Sequence, residues 1–97
     1  TLFRSSEEVN WNMISCGQEL SERFIERHSD KVCWFWISGY QKLSEGFIER
    51  HSNKIDWRWI SRYQSLSEKF IIDHIKDIDI PNLYKNDKID RDILFDL

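Results

Sequence analysis

Three histidines spaced 23 residues apart, His28, His51 and His74, are the first residues in this chain that could do chemistry. Histidine binds transition metals and titrates near neutral pH. A zinc ion needs four ligands around one point, whereas equivalent side chains of stacked helical units lie about a helix diameter, roughly 10 Å, apart. The spacing therefore predicts interior histidines near helix C-termini, where each ring fills space and donates to a free carbonyl group. A pH-sensitive seam along the three rings is the alternative.

Two other groupings have the residue types of catalytic pairs. Cys16 with His28 could act as nucleophile and base. However, the other units have no cysteine at the position of Cys16, and no third residue would orient the base. The glutamates Glu22 and Glu26 are predicted to lie on the solvated side of a helix, with arginines among them. The chain contains no Gly-rich phosphate loop, no Cys-x-x-Cys and no His-Glu-x-x-His. We therefore predict a protein that is not an enzyme and that has no cofactor and no metal site.

Aromatic residues beside arginine could stack the bases of single-stranded RNA. The best local example is Trp57-Arg58-Trp59, with Arg62 one turn further on. The chain has a formal net charge of −3 with interleaved signs, so it offers no basic field to a phosphate backbone. RNA binding is therefore a lesser alternative. No apolar run approaches the roughly 20 residues that span a bilayer, and we expect no membrane association.

These residues recur because the chain is built from a 23-residue repeat. The units are residues 9–31, 32–54 and 55–77; the first two match at 15 positions, the last two at 12, and ten positions agree in all three. A fixed period in this range is typical of stacked helical repeats. We predict one domain over residues 1–97, with 1–8 as the remnant of an earlier unit. Residues 78–97 are predicted to form a partial repeat and a C-terminal capping helix.

Each unit is predicted to form two short helices. Asparagine, aspartate and serine are strong N-caps and cysteine is a weak one, so we place the first helices after Asn10, Cys33 and Asp56 and the second after Ser21, Ser44 and Ser67. An apolar residue precedes each cap and another lies five residues on, the arrangement of a hydrophobic staple. Because the first helices are apolar on two sides, we expect them to be packed on both.

Helices of about two turns are not stable alone, so neighbouring units must hold them. The predicted fold class is all-α, an α-solenoid of stacked antiparallel short helix pairs. A fourth first-type helix is expected over about 79–86, with Pro81 in its first turn. The last helix is predicted to be capped by Asp87 and to bury one face, while Phe95 stays free. That face would comprise Ile89, Ile93 and Leu97.

The two cysteines occupy non-equivalent places in the repeat. Cys33 is replaced in the other units by Asn10 and Asp56, and Cys16 by Gly39 and Arg62. A scaffold that depended on disulfides would repeat them. We therefore predict two free thiols in a reducing compartment, the cytoplasm.

The unit W-x-x-I-S-x-x-Q-x-L-S-E-x-F-I-E-x-H-x-x-K, carried by residues 11–31 and 34–54, resembles the short tandem repeats of predicted proteins from large DNA viruses that infect amoebae. The third unit departs from it at Ile72 and Asp77. The resemblance covers residues 9–77 and implies a viral protein with an all-helical repeat fold, found in the host cytoplasm or the virion. It brings no catalytic residues.

The positions at which the units differ are the predicted contact surface. They include Asn12, Phe35 and Arg58 at one place in the repeat and Arg62 at another, and Phe35 stands out because its equivalents are polar. We predict a helical-repeat module that presents these residues, with Phe95, to a host or viral protein partner. The alternative is a self-assembling or particle-associated structural protein whose contacts are made by the ends of the stack or by Phe95.

Overall fold

The structure, a computed structural model, describes residues 10–97, and throughout that range its regular elements are helices. This confirms the all-α repeat fold. The helices are α1 (Trp11–Gly17), α2 (Glu22–Arg27), α3 (Trp34–Tyr40), α4 (Glu45–Arg50), α5 (Trp57–Tyr63), α6 (Glu68–Asp73), α7 (Ile80–Tyr84) and a C-terminal 3₁₀ helix (Arg91–Asp96). The predicted remnant at 1–8 lies outside the described residues.

The predicted N-caps are confirmed. The Asn10 side chain accepts a hydrogen bond from the N–H of Met13, and Ser21, Ser44 and Ser67 each accept one from the phenylalanine three residues on. Cys33 occupies the cap position of α3 without a side-chain bond, as its chemistry predicts. Capping residues therefore determine where these six- and seven-residue helices begin.

The core consists of the staple residues and the isoleucines they meet. Ile25, Ile37, Ile48, Ile60 and Ile71 are fully buried, and Val32, Leu43, Ile55 and Leu66 are nearly so. Consecutive odd-numbered helices, α1, α3, α5 and α7, contact one another along the molecule. The molecule measures 51 × 22 × 17 Å along its principal axes, as expected of a stack. Each buried aliphatic side chain contributes about 1.5–3 kcal/mol relative to exposure.

A glutamine that follows α3 and one that follows α5 each bind the preceding unit. Gln41 Nε2 donates to the carbonyls of Ser15 (2.8 Å) and Gln18 (2.6 Å), and its Oε1 accepts from the N–H of Leu20 (2.9 Å). These backbone groups lie at and just after the C-terminus of α1, where a helix cannot pair its own carbonyls. One unit on, Gln64 makes the same three bonds with Ser38, Gln41 and Leu43.

A serine in each of α1, α3 and α5 makes a second link between units. Ser38 Oγ accepts from the N–H of Asp56 at 2.8 Å and donates to the carbonyl of Trp34 at 2.7 Å. Ser15 and Ser61 likewise accept from the N-cap residue of the next odd-numbered helix, at 2.9 Å each. All three serines are fully buried. Their small size, which predicts close approach of backbones, is thus combined with a specific hydrogen bond.

Glutamates of the even-numbered helices link the units on the opposite side. The Glu22 carboxylate accepts from the N–H (2.6 Å) and hydroxyl (3.1 Å) of Ser44, and Glu45 binds Ser67 with the same distances. Glu22, predicted to lie on the solvated side of its helix, is partly exposed there and also binds the next unit, a contact that was not predicted. A charge-assisted hydrogen bond to a backbone N–H is stronger than a neutral one, and it holds the start of α4 to α2 and the start of α6 to α4.

The last unit departs from the repeat, and there the sequence-based predictions are partly wrong. Helix α7 is five residues long and ends at Tyr84, so the amide that binds the preceding unit comes one residue early, from Asn86. Asn86 Nδ2 donates to the carbonyls of Ser61 and Gln64 at 2.8 Å each. Asp87 does not cap the last helix.

The 3₁₀ helix is capped by Asp90, whose side chain accepts from the N–H of Asp92. Ile89 and Ile93 are buried as predicted, but Leu97 is 44% exposed and Leu94 packs on the core in its stead. A 3₁₀ helix repeats every three residues and not every 3.6, so the face expected of an α-helix does not persist to Leu97.

We expect Gln64→Ala to destabilise the fold strongly. It removes three hydrogen bonds at a site 4% exposed and leaves two carbonyls and one N–H without their partner. At about 1 kcal/mol for each bond, with the cost of buried unpaired groups, the free energy of unfolding should fall by about 2–4 kcal/mol. Thermal and urea unfolding followed by circular dichroism measure the change.

The matched control is Gln18→Ala, at the equivalent place in the first unit, where the side chain is exposed. We expect it to change the free energy of unfolding by no more than about 0.5 kcal/mol. Equal destabilisation by both substitutions would show that the amide bridge between units is not what stabilises the stack.

Candidate protein-interaction surface

The second apolar side of α3 and α5 is not covered by another helix of the described chain. It forms an aromatic face, which we define as Phe35, Trp36, Tyr40, Trp59 and Tyr63. Tyr40 is 54% exposed, Phe35 37% and Tyr63 36%. The expectation that these helices are packed on both apolar sides is therefore met only in part: Trp59 packs on α3, whereas the other rings stay partly open to solvent. Half-exposed aromatic side chains that lie together are more typical of an interaction surface than of a core.

The rings of the aromatic face support one another. Phe35 meets Trp59 edge to face with centroids 4.6 Å apart, Trp36 stacks on Tyr40 at 5.3 Å, and Trp59 lies 5.0 Å from Tyr63. Aromatic pairs in such arrangements contribute about 0.5–1.5 kcal/mol beyond the area they bury. The face is therefore ordered before any partner binds.

Gly39 allows Trp59 to lie directly against the backbone of α3. A Cβ atom at Gly39 would overlap the six-membered ring of Trp59. The sequence suggested that position 39 varies because it faces a partner. The structure shows instead that glycine is needed there by the neighbouring tryptophan.

A cleft opens at the place where the next unit lacks this tryptophan. Asn82 stands 23 residues after Trp59, and Arg62 stands 23 after Gly39. Since asparagine is much smaller than tryptophan, space remains above α5. The cleft has a volume of about 400 Å³ and is lined by Phe35, Arg58, Trp59, Arg62, Tyr63 and Asn82. This aromatic cleft lies within the size range of about 300–1,000 Å³ usual for ligand sites.

The structure brings together three of the five predicted contact residues, Phe35, Arg58 and Arg62, in the aromatic cleft. Asn12 is exposed on α1, and Phe95 is 87% exposed on the C-terminal 3₁₀ helix; neither lines the cleft. Sequence reasoning missed Tyr63 and Asn82 as members of the site and named Trp59 as a residue that could stack RNA bases. The available signal was the absence of tryptophan at position 82, since the two preceding units have Trp36 and Trp59 at that place.

The two arginines of the cleft differ in their partners. Arg58 binds its own helix cap, with Nη2 3.1 Å from Asp56 Oδ2 and Nε 3.3 Å from Oδ1. The hydrogen bond and charge of Asp56 raise the pKa of Arg58. Burial alone would raise the pKa of Asp56, but the bonds and charge of Arg58 lower it below its usual range. Arg62 makes no ion pair within residues 10–97; its guanidinium lies 5.3 Å from the Tyr63 ring centroid, a cation–π contact.

A second cleft of about 550 Å³ continues from the aromatic cleft and shares Tyr63 with it. Its lining is Gly39, Tyr40, Gln41, Lys42, Tyr63, Gln64, Ser65 and Lys88. The two clefts together contain four cationic side chains, and no carboxylate is among the described residues that line them. A chain with a net charge of −3 thus presents a cationic, aromatic surface on this side.

The three histidines occupy the C-cap positions of the even-numbered helices, near helix ends as predicted. The His51 ring packs between Trp34 (5.2 Å) and Phe47 (4.5 Å). Its Nε2 is buried without a hydrogen bond to a carbonyl and lies 3.9 Å from Glu26 Oε1. Glu26 is already held by Arg50 at 2.9 Å, and this bond and charge lower the pKa of Glu26. The ring therefore fills space, and the predicted carbonyl bond is absent at Nε2.

Within residues 10–97, no group of three or more His, Cys, Asp or Glu side chains could hold a metal ion. Cys16 and Cys33 are both free thiols, which confirms that prediction. None of the helices described is long and apolar enough to cross a bilayer. Comparison of the chain with protein-family models, curated proteins and solved structures gives no significant match.

We expect Gly39→Ala to disrupt the aromatic face. The new methyl group must displace the Trp59 ring, and overpacking of this kind costs about 1–3 kcal/mol, more than the roughly 1 kcal/mol gained in helix propensity. Lower stability by urea unfolding, with a shift in tryptophan emission, is the expected result.

Gly46→Ala in α4 is the matched control, because a Cβ there meets only the end of the Arg50 side chain at 3.9 Å. It should stabilise the protein by up to about 1 kcal/mol. If Gly39→Ala were stabilising to the same extent, close contact between Trp59 and α3 would be disproved.

Proposed function

We propose that the protein is a non-enzymatic helical-repeat interaction module, and that its aromatic cleft binds a segment of a partner protein rich in apolar and acidic residues. The observation that carries the proposal is the cleft itself, an uncovered concave site in which Phe35, Trp59 and Tyr63 lie beside Arg58 and Arg62. Tryptophan, tyrosine and arginine are the residues most enriched among energetic hot spots of protein interfaces.

The apolar part of the partner is inferred from the exposed rings. Phe35 and Tyr63 are each more than one-third exposed, and both border the cleft. An apolar side chain inserted between them would remove this aromatic surface from water. At about 25 cal/mol per Å² of apolar area, burial of the exposed third of one such ring contributes about 1–2 kcal/mol to binding before its entropic cost.

The acidic part is inferred from the charges. Arg62 has its guanidinium beside the cleft and no carboxylate within residues 10–97 to pair with. A carboxylate of the partner can accept two parallel hydrogen bonds from a guanidinium, which fixes its orientation as well as its place. Lys42 and Lys88 of the second cleft extend the same sign of charge along the surface.

The scaffold favours binding because it is already rigid. The cleft lies on α5, whose ends are tied to the neighbouring units by the hydrogen bonds of Ser38, Ser61 and Gln64. A preordered site loses less conformational entropy on binding than a flexible loop does. Protein is favoured over RNA because the rings pack edge to face on one another and so offer few open faces for bases.

The wider context of this proposal comes from the repeat pattern. The resemblance of residues 9–77 to repeats of amoeba-infecting large DNA viruses supports a viral protein acting in the host cytoplasm or the virion, with a host or viral protein as the partner. The free thiols of Cys16 and Cys33 are compatible with a reducing compartment.

Selection from a random peptide display library tests the proposed function. We expect selected peptides to combine an aromatic or large aliphatic residue with nearby aspartate or glutamate. Phe35→Glu and Arg62→Glu should each weaken binding of a selected peptide by at least about tenfold, which corresponds to 1.4 kcal/mol. Fluorescence anisotropy with the labelled peptide measures the affinity.

Lys76→Glu, a charge reversal at an exposed residue outside both clefts, is the matched control and should leave affinity within about twofold. Circular dichroism verifies that each variant is folded. Peptides without acidic residues, or binding unaffected by Phe35→Glu, would contradict the proposal. Tighter binding of a labelled single-stranded oligouridine than of any peptide would favour the RNA alternative instead.

A further inference from the structure

We propose that the segment bound by the aromatic cleft belongs to a second copy of this chain: Phe95 of one copy inserts beside Phe35 and Arg62 of the next. This inference rests on the proposed function, since it names the partner of the same site. The copies would associate through two different surfaces. One is the aromatic cleft, on α3, α5 and α7, and the other is the C-terminal 3₁₀ helix.

Phe95 is held in position for insertion. It is 87% exposed, the highest value among the exposed large apolar side chains of the described chain. Ile93 is buried and Leu94 packs on the core. These two side chains anchor the backbone next to Phe95. A phenylalanine presented on ordered backbone loses little freedom on docking, and its ring carries one of the largest apolar surfaces of any side chain.

The surroundings of Phe95 are acidic. Asp92 and Asp96 are both exposed and lie on the same 3₁₀ helix. Their sign is opposite to that of Arg58 and Arg62 in the cleft. The segment DRDILFDL, residues 90–97, therefore has the composition inferred for the occupant of the cleft, an aromatic residue with carboxylates close by.

Carboxylates face one another at this end of the stack because the repeat changes there. Glu22 and Glu45 each bind the serine 22 residues on, but the residue 22 after Glu68 is Asp90. Glu68 consequently faces carboxylates: its hydrogen bond with Asp96, the charge of Asp96, desolvation and the charge of Asp90 all raise its pKa. An arginine brought by another molecule would relieve this repulsion.

The geometry of such an assembly is head to tail. Phe95 does not line the cleft of its own chain and is exposed on the 3₁₀ helix. The cleft of each copy is therefore open to the Phe95 of another copy. Each copy carries one donor segment and one acceptor cleft. A contact between two different surfaces is heterologous, and it extends into open chains unless the rotation between copies closes a ring.

Sedimentation velocity of the full chain and of two single variants tests this. We expect the wild type to form species larger than a dimer as concentration rises from low micromolar to near millimolar. Phe95→Ser removes the donor, and Arg62→Glu disables the acceptor, so each variant alone should remain a monomer. An equimolar mixture should form a dimer and nothing larger, because only one donor and one acceptor remain intact between the two copies.

Two controls sharpen the result. Ile75→Ser changes another exposed apolar residue, 42% exposed and outside the cleft, and should assemble as the wild type does. High salt should weaken assembly of the wild type, because the charges around Phe95 and the cleft are solvent-accessible. Each variant is first shown to be folded by circular dichroism.

Assembly that persists in Phe95→Ser, or a mixture of the two variants that stays monomeric while both are folded, overturns the inference. A wild type that is monomeric at near-millimolar concentration, while selected peptides still bind the cleft, overturns the second copy as partner and leaves the proposed function standing. Absence of both self-association and peptide binding would overturn the two together.

Discussion

A buried side-chain amide that joins one repeat to the next is the interaction on which the rest of the structure depends. A helix of seven residues leaves more than half of its carbonyls without a helical partner. In α1 and α3 two of these groups receive the amide of Gln41 or Gln64 from the following unit, and the helix end can be buried. No unit can satisfy its own backbone, so folding and stacking are a single event.

The helices could be predicted from the sequence because their determinants are local. Ser21 caps α2 through its own neighbours, and the isoleucine five residues after each pre-cap apolar residue is buried wherever the pattern repeats. The bridging role of Glu22 could not be predicted in the same way. A glutamate in a first helical turn is explained equally well by the helix dipole, and only the stack shows that Ser44 is its partner.

The same limit explains the errors in the last unit. A strict period of 23 residues leads from Gln64 to Asp87, which carries no amide to donate. Because α7 stops after five residues, Asn86 reaches the two carbonyls with a side chain one methylene shorter. In the last unit, as in the others, two backbone carbonyls of the preceding unit must be hydrogen-bonded, here those of Ser61 and Gln64. The shorter α7 makes this possible, and a fixed repeat length does not predict that shortening.

The candidate site depends on positions at which the units differ in sequence, and not on positions at which they are identical. Two departures make the cleft: Asn82 replaces the tryptophan that lies over α3 in the unit before, and Arg62 replaces the glycine against which that tryptophan packs. A serine at position 90 would have given Glu68 the bonds that Glu45 has, instead of two facing carboxylates. The regular units provide stiffness through hydrogen bonds that depend on identical residues. Departures from identity leave a cationic cleft and an acidic end: Arg58 and Arg62 stand where the preceding unit has Phe35 and Gly39, and Asp90 stands where it has Ser67.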